Sequence, residues 1–437
     1  MDKSHMLRRD FFKRTGQSLA ALWALQTTIG RRANAATTQP HAGGANITVH
    51  DDAFWAQVRD AFPLTRKSTY LNTGGLGASP KVSIDELKNK IDEFEEVSKT
   101  GHTHQLWSEV KNKAGLILGC DADEIAYTRN TTEGASIICN GLRLQRGDEV
   151  ITSTHEHVGN IVSWLARQKR DGIVVKTFTP STRSAQENIE RIAALITPKT
   201  RALSISHVTC ATGQILPVKT IGELAAAHGI WYFVDGAQAP GMLPVDVRDI
   251  GCHAYATSGH KWLLGPKGTG LLYVRRDALN TIDPTYGGGY SANGHWDMIS
   301  SGQFEWTSTA QRFEYGTVSA PLFAGLGASM QFLLDIGIDN IWRRNHALGA
   351  MLIKGLNELG AEVVSPQDKN EHSSIITFRL HNMPYGELQR FLTQHYQMRT
   401  RGIYEGGLDA LRVSLHLYNS PAEVERVLEG VAAAKKL

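Results

Sequence analysis

The sequence predicts an α/β fold, with a mostly parallel sheet buried between helices and a smaller α/β lobe at the C-terminus. Three observations predict it. Seven short, apolar and often β-branched runs punctuate residues 124–276: "EIAYTR", "DEVITS", "IVVKTF", "RALSISHV", "IWYFVD", "HAYATS" and "GLLYVRR". Most are separated by helical runs such as Ile215 to His228, the rhythm of βαβ units whose strands are covered on both faces. Polar residues gather just after these runs, where open α/β sheets place their chemistry.

The remaining elements follow in order. "YLNTGGLGASP" from Tyr70 is a strand-like pair running into a turn-rich loop, and Leu87 to Gly119 reads as helix with a break near Gly101. Beyond Phe323 a long helical run leads to the strand "SSIITFRL", the helix "YGELQRFLTQHY" and the pair "LDALRVSLHLYNS" and "PAEVERVLEGV". Two strands with helices make the C-terminal lobe. No internal repeat or low-complexity tract interrupts the chain.

With 437 residues, 41% hydrophobic and 20% charged, the chain has the composition of a folded protein large enough for two lobes. A net charge of +3, with no Lys/Arg block after the first forty residues, gives nucleic-acid binding little electrostatic support. The four cysteines (Cys120, Cys139, Cys210 and Cys252) lie far apart without metal-ligand spacing, so neither a zinc site nor a disulfide framework is expected.

The N-terminus is different. "LRRDFFKRTGQSLAALWALQTTIGRRANAA" carries paired Arg8 and Arg9, an interrupted apolar stretch and small residues at Ala33-Asn34-Ala35 suited to cleavage. The stretch is too short and polar to span a bilayer, so no stable membrane anchor is expected. It resembles a bacterial twin-arginine export signal, which implies passage of the folded chain through the Tat translocase into the periplasm. The expected organisation is a signal over residues 1–35, an N-terminal segment over 36–66, a large domain over 67–325 and a small domain over 326–437.

The strand ends carry the chemistry. After "EIAYT" come Thr131 and Thr132 at the start of a helix, a place where free N–H groups and hydroxyls can cradle a phosphate. A threonine that merely caps a helix gives the same pattern. After "EVITS" comes His157, after "IWYFV" Asp235 and Gln238, and after "HAYAT" Ser258, His260 and Lys261. Singly, Asp235 also reads as a turn or N-cap residue, Lys261 as a snorkelling surface lysine and His157 as a core histidine. Together they fit one ligand, a pyridine ring with a phosphate tail. Thr131, Thr132, Ser258 and His260 take the phosphate, Asp235 the ring nitrogen, His157 the ring face and Lys261 the aldehyde as a Schiff base. That ligand is pyridoxal 5′-phosphate. "GPKGTG" has no Walker frame, and Gly287 to Gly289 lacks the context of a dinucleotide site.

The stretches "TTEGAS", "EHVGN", "VDGAQ", "SGHKW", "RFEYGT" and "LRVSLHLYN" resemble the class V aminotransferase group of fold-type I pyridoxal-phosphate enzymes, over nearly everything from Tyr70 onward. The resemblance implies a large domain with a mostly parallel seven-stranded sheet. It makes Lys261 the Schiff-base lysine, Asp235 the ring-nitrogen partner and His157 the stacking base. Gln238 would face the ring hydroxyl, and Arg412 would clamp the substrate α-carboxylate. Thr317 would reach the phosphate of a partner subunit, which implies a homodimer.

Cysteine desulfurases of this group carry a reactive cysteine before the arginine strand, whereas "RTRGIYEGGLDALR" has none. "SHVTCATG" places Cys210 where some relatives have an asparagine near the ring hydroxyl. An export signal joined to this family resembles the exported enzymes of pyoverdine siderophore maturation. That implies a glutamyl side chain of a precursor as substrate, its free amine displacing Lys261, with conversion to succinamide by oxidative decarboxylation. Transamination or epimerisation of a small amino acid is the runner-up. A catalytically silent binding protein is the rival from another class, and the presence of both Lys261 and Asp235 speaks against it.

Overall fold

The computed structural model describes residues 51–293 and 297–437, so the export signal and its cleavage-like site lie outside the described residues. All seven predicted strands form and join one sheet: β1 (Ile125–Thr128), β2 (Glu149–Ser153), β3 (Val174–Phe178), β4 (Thr200–Ser206), β5 (Trp231–Asp235), β6 (Ala254–Ser258) and β7 (Gly270–Val274). Their order is β1-β7-β6-β5-β4-β2-β3. The interior strands are buried on both faces, which is why they read as continuous apolar runs. Edge strand β3 is half exposed, so its sequence mixes Lys176 and Thr177 with valines.

Only β7 runs antiparallel, to both β1 and β6. The segment "GPKGTG" reverses the chain directly after Lys261, with Gly268 at φ +88°, so no crossover helix intervenes. Two helices start at strand ends. Helix α1 (Thr131–Gly141) is capped by the Asn130 side chain, which accepts the Glu133 N–H at 2.9 Å. Helix α2 (Val158–Asp171) is capped by the His157 ring. The long helical region near Gly101 is broken as expected, into Lys81–Glu95 and His104–Leu118, with Gly101 at φ +69° between them.

A second, antiparallel sheet holds β8 (Glu362–Val363), β9 (Ile375–Arg379), β10 (Arg401–Ile403) and β11 (Ala410–Ser414) in the order β8-β9-β11-β10. The sequence reading supplied only β9 and β11. The two it missed are short edge strands with weak apolar character, and β10 contains Gly402 because a Cβ there would lie 2.0 Å from the Tyr385 ring. Helices Ala320–Ile336 and Ile338–Glu358 connect the two sheets. Residues 69–70 pair in parallel with residues 398–399, and Asn72 bridges to Ser414, which ties the glycine-rich loop after Tyr70 to the second sheet. Among the described residues no single helix is long and apolar enough to cross a membrane.

Candidate active site

The C-terminal ends of β1, β2, β4, β5 and β6 converge on a cavity of about 320 Å³, roofed by the loop at Gly74 and Gly75 and by strands β10 and β11. Nine predicted residues line it: Thr131, Thr132, His157, Asp235, Gln238, Ser258, His260, Lys261 and Arg412. The tenth, Thr317, does not. It is exposed beside a separate cavity that includes His102, Trp107 and Tyr315.

Asp235 ends β5 with 5% of its surface exposed, and its Oδ1 accepts the Ala237 N–H at 2.9 Å. Burial pushes its carboxyl up, while the Ala237 N–H and Lys261 pull it down. Burial likewise pushes the Lys261 amine down, and Asp235 opposes that shift. The two groups thus temper each other across the cavity, and Lys261 is drawn towards a nucleophilic free amine.

His157 accepts the Gly159 N–H at Nδ1, 3.1 Å away, so that nitrogen carries no proton and the ring is held as the cap of α2. Burial, with the nearby charges of Lys261 and Arg401, lowers its pKa to about 4. A neutral, fixed ring suits stacking. The Thr131 and Ser258 hydroxyls bond to each other at 2.7 Å, and the Thr131 N–H donates to the Ser258 hydroxyl at 3.1 Å. His260 Nδ1 is buried without a hydrogen-bond partner. Hydroxyls, a helix N-terminus and an unpartnered imidazole nitrogen form one polar end of the cavity, where an anion would supply the missing acceptor.

Gln238 is fixed from both sides: its amide donates to the Gly74 carbonyl at 3.0 Å and its oxygen accepts the Trp262 indole N–H at 2.7 Å. The tryptophan beside the lysine therefore supports Gln238, a role the sequence did not reveal. Arg412 is 1% exposed, donates to the Cys210 carbonyl at 2.9 Å and to Asn72 Oδ1 at 3.1 Å, and has no partner for Nε. Burial and then Arg401 lower its pKa to about 10, which leaves it charged at neutral pH.

Two residues of the site went unread in the sequence. Arg401 lines the cavity from β10, a strand that was not foreseen, and the only signal was its place in the loop stretch that precedes Arg412. Glu156 lies buried behind Asp235. It accepts hydrogen bonds from Ser153, Asn160, the Ser206 hydroxyl at 2.6 Å and the Ser206 N–H at 3.1 Å. Burial, and then Asp235, raise its pKa to about 7 despite those donors.

The donor set fits pyridoxal phosphate. Thr131, Thr132, Ser258 and His260 would hold the phosphate, Asp235 would meet a protonated ring nitrogen, and Lys261 has the amine that takes the aldehyde. A family model for class V aminotransferases matches residues 86–427. The chain belongs to that family. The class V aminotransferases are fold-type I, pyridoxal-phosphate-dependent enzymes, and this chain has their fold. Similar class V relatives include a probable cysteine desulfurase of Methanothermobacter thermautotrophicus, 29% identical with 84% of this chain and 95% of the relative covered. A cysteine desulfurase of Yersinia pestis is 30% identical, with 87% and 98% covered. Among solved structures, a lysine-to-alanine mutant of C-DES with glycine covalently linked to its PLP cofactor superposes with a TM-score of 0.78 at 28% identity, covering 86% of this chain and 98% of that one. The apo cysteine desulfurase of Thermococcus onnurineus gives 0.77 at 25% identity, with 87% and 98% covered.

Proposed function

We propose that this chain acts on the free α-amino, α-carboxylate end of an amino-acid-bearing small molecule, namely the glutamyl side chain of a pyoverdine precursor. In this reading it resembles PvdN, the periplasmic enzyme of pyoverdine maturation, and is exported folded by the twin-arginine pathway. It works as a homodimer in which Thr317 reaches the partner subunit's phosphate site. The glutamyl arm is joined through its γ-carboxyl, so it presents one amine and one carboxylate, the groups that Lys261 and Arg412 would engage. Dioxygen serves as oxidant: the arm R–CH(NH₂)–COOH and O₂ give the amide R–CONH₂, carbon dioxide and water.

Bound pyridoxal phosphate supplies the electron sink for the bonds at the substrate Cα. The protein's residues do the rest. Arg412 binds the α-carboxylate, Lys261 accepts and returns a proton at Cα or the amine, Asp235 keeps the ring nitrogen protonated, and His157 fixes the ring plane.

The observation that carries this reading away from sulfur transfer is the rim loop. Between β10 and β11 it bears Tyr404, Glu405 and Asp409 and no thiol. The cavity thiol of Cys210 is held protonated, pushed up to about 11 by burial, though Arg412 opposes the shift. A nucleophile for sulfur relay is missing. The test is incubation of holoenzyme with a pyoverdine precursor and, separately, with free amino acids. Loss of carbon dioxide from the precursor with oxygen uptake supports the proposal. Turnover of free amino acids alone shifts the assignment to transamination or epimerisation.

A further inference from the structure

Two guanidinium groups face the same cavity, from neighbouring strands and in register. Arg401 on β10 is the cross-strand partner of Arg412 on β11, and both line the cavity. Like charges placed directly opposite each other destabilise a sheet unless something offsets them. The two arginines are offset differently. Arg401 is ion-paired to Glu405, four residues on, whose side chain is 6% exposed. Glu405 is fixed in turn, its carboxylate accepting the Tyr404 N–H at 3.2 Å. Burial alone would raise that carboxyl, but the backbone donors and Arg401 outweigh it and hold it below its usual range, so the pair is ionised. Arg412 has only neutral acceptors, the Cys210 carbonyl and the Asn72 side chain. Among the described residues no carboxylate forms an ion pair with it.

The cavity thus holds one guanidinium without an ion-pair partner and one already paired. The first calls for an anion. The second keeps free N–H donors, since one carboxylate cannot occupy all five, but little net charge. It suits a neutral acceptor better than a second carboxylate.

We infer that Arg401 is a specificity-determining residue that donates to the side-chain carbonyl of the substrate, and that Glu405 tunes it to prefer an amide over a carboxylate. The substrate class is a γ-substituted glutamine, with a free α-carboxylate at Arg412 and an amide carbonyl at Arg401. The inference rests on the proposed action upon a γ-linked glutamyl arm, and it assigns the part of the site that reads the linkage.

The experiment measures binding to the holoenzyme by calorimetry, with γ-glutamyl ethylamide, L-glutamate and L-2-aminobutyrate as probes. The last has the same head group and no distal acceptor. The parent enzyme should bind the ethylamide about tenfold or more tightly than 2-aminobutyrate, as a charge-assisted hydrogen bond warrants. Arg401→Met should erase that margin and leave 2-aminobutyrate unchanged. Glu405→Gln, which frees the guanidinium charge, should turn the preference towards L-glutamate by about tenfold. Equal weakening of all three ligands by Arg401→Met, or a parent enzyme that prefers glutamate, overturns the assignment. An enzyme that ranks the probes as expected yet leaves the pyoverdine precursor unchanged upholds Arg401 and retires the pyoverdine reading. Conversion of the precursor with a ranking indifferent to Arg401→Met retires the Arg401 assignment alone.

Discussion

Gly77 donates its backbone N–H to the His260 carbonyl at 2.7 Å, clamping the loop after Tyr70 onto the turn that carries Lys261. A Cβ at Gly77 would lie 1.9 Å from the Lys261 carbonyl oxygen and 2.9 Å from Leu264. Gly77→Ala must therefore lift the loop or shift the lysine turn. We expect a loss of about 1–3 kcal/mol in denaturant unfolding of the apoprotein, as for other overpacked sites. Cofactor affinity should fall with it, because the displaced backbone belongs to Lys261.

Lys261→Ala should leave the fold intact, since removing a buried amine relieves a desolvation cost. Borohydride treatment of the holoenzyme should fix the cofactor covalently to the parent protein and not to the variant. Mass spectrometry of the peptide spanning residue 261 reads this directly. A cofactor fixed to the variant would mean that another lysine takes the aldehyde.

Arg412→Ala should keep the cofactor and lose turnover. The residues that would hold the cofactor follow β1, β2, β5 and β6, while Arg412 belongs to the other sheet. Loss of a charge-assisted bidentate contact costs about 2–4 kcal/mol in kcat/KM, or about thirty- to a thousandfold. Arg412→Lys should recover little, because an ammonium cannot reproduce the planar fork. Near-normal turnover in either variant would assign the carboxylate to another residue.

Glu156 sets a pH dependence of stability. Its folded pKa, about 7, lies above its ordinary value of 4.5. Between those values the folded chain keeps a proton that the unfolded chain releases, so stability declines as pH rises through that window, with a limiting slope of about 1.4 kcal/mol per pH unit, and levels off above it. Glu156→Gln should remove this decline. Denaturant midpoints of the apoprotein at pH 5 and pH 8 measure it, and an unchanged slope in the variant would place the titration elsewhere.

Sulfide release from L-cysteine should be far below that of a desulfurase, and Cys210→Ser should not change it. A lead acetate or methylene blue assay with a desulfurase as reference decides the matter. Release at the reference rate that disappears in Cys210→Ser would make the buried thiol the sulfur acceptor after all.

The fold was legible wherever burial imposes a pattern. The seven runs of the main sheet are covered on both faces, and the chemistry at their ends followed from the rule that carboxyl ends of strands build the site. Thr317 was legible as a motif residue whose expected place is a partner subunit's phosphate site, and in its own chain it sits exposed beside a separate cavity. Arg401 was missed because β10 is a three-residue edge strand whose partner and register are set by tertiary pairing with β11. Glu156 was quoted with its neighbours but given no role. Nothing local tells a buried acid with four donors from a surface glutamate.

The position of β7 between β1 and β6 orders the assembly of the site in time. β1 leads into helix α1, which starts at Thr131 and Thr132, and it pairs within its sheet only with β7, the last strand of that sheet to be synthesised. A growing chain thus cannot pair β1 into the sheet until residues 270–274 have emerged. The contacts of Arg412 with Asn72 and Cys210 come later still, once the penultimate stretch of the chain is made. With N-terminal segments folding first, the strand ends that bear Asp235 and Lys261 come together before Arg401 and Arg412 close the cavity.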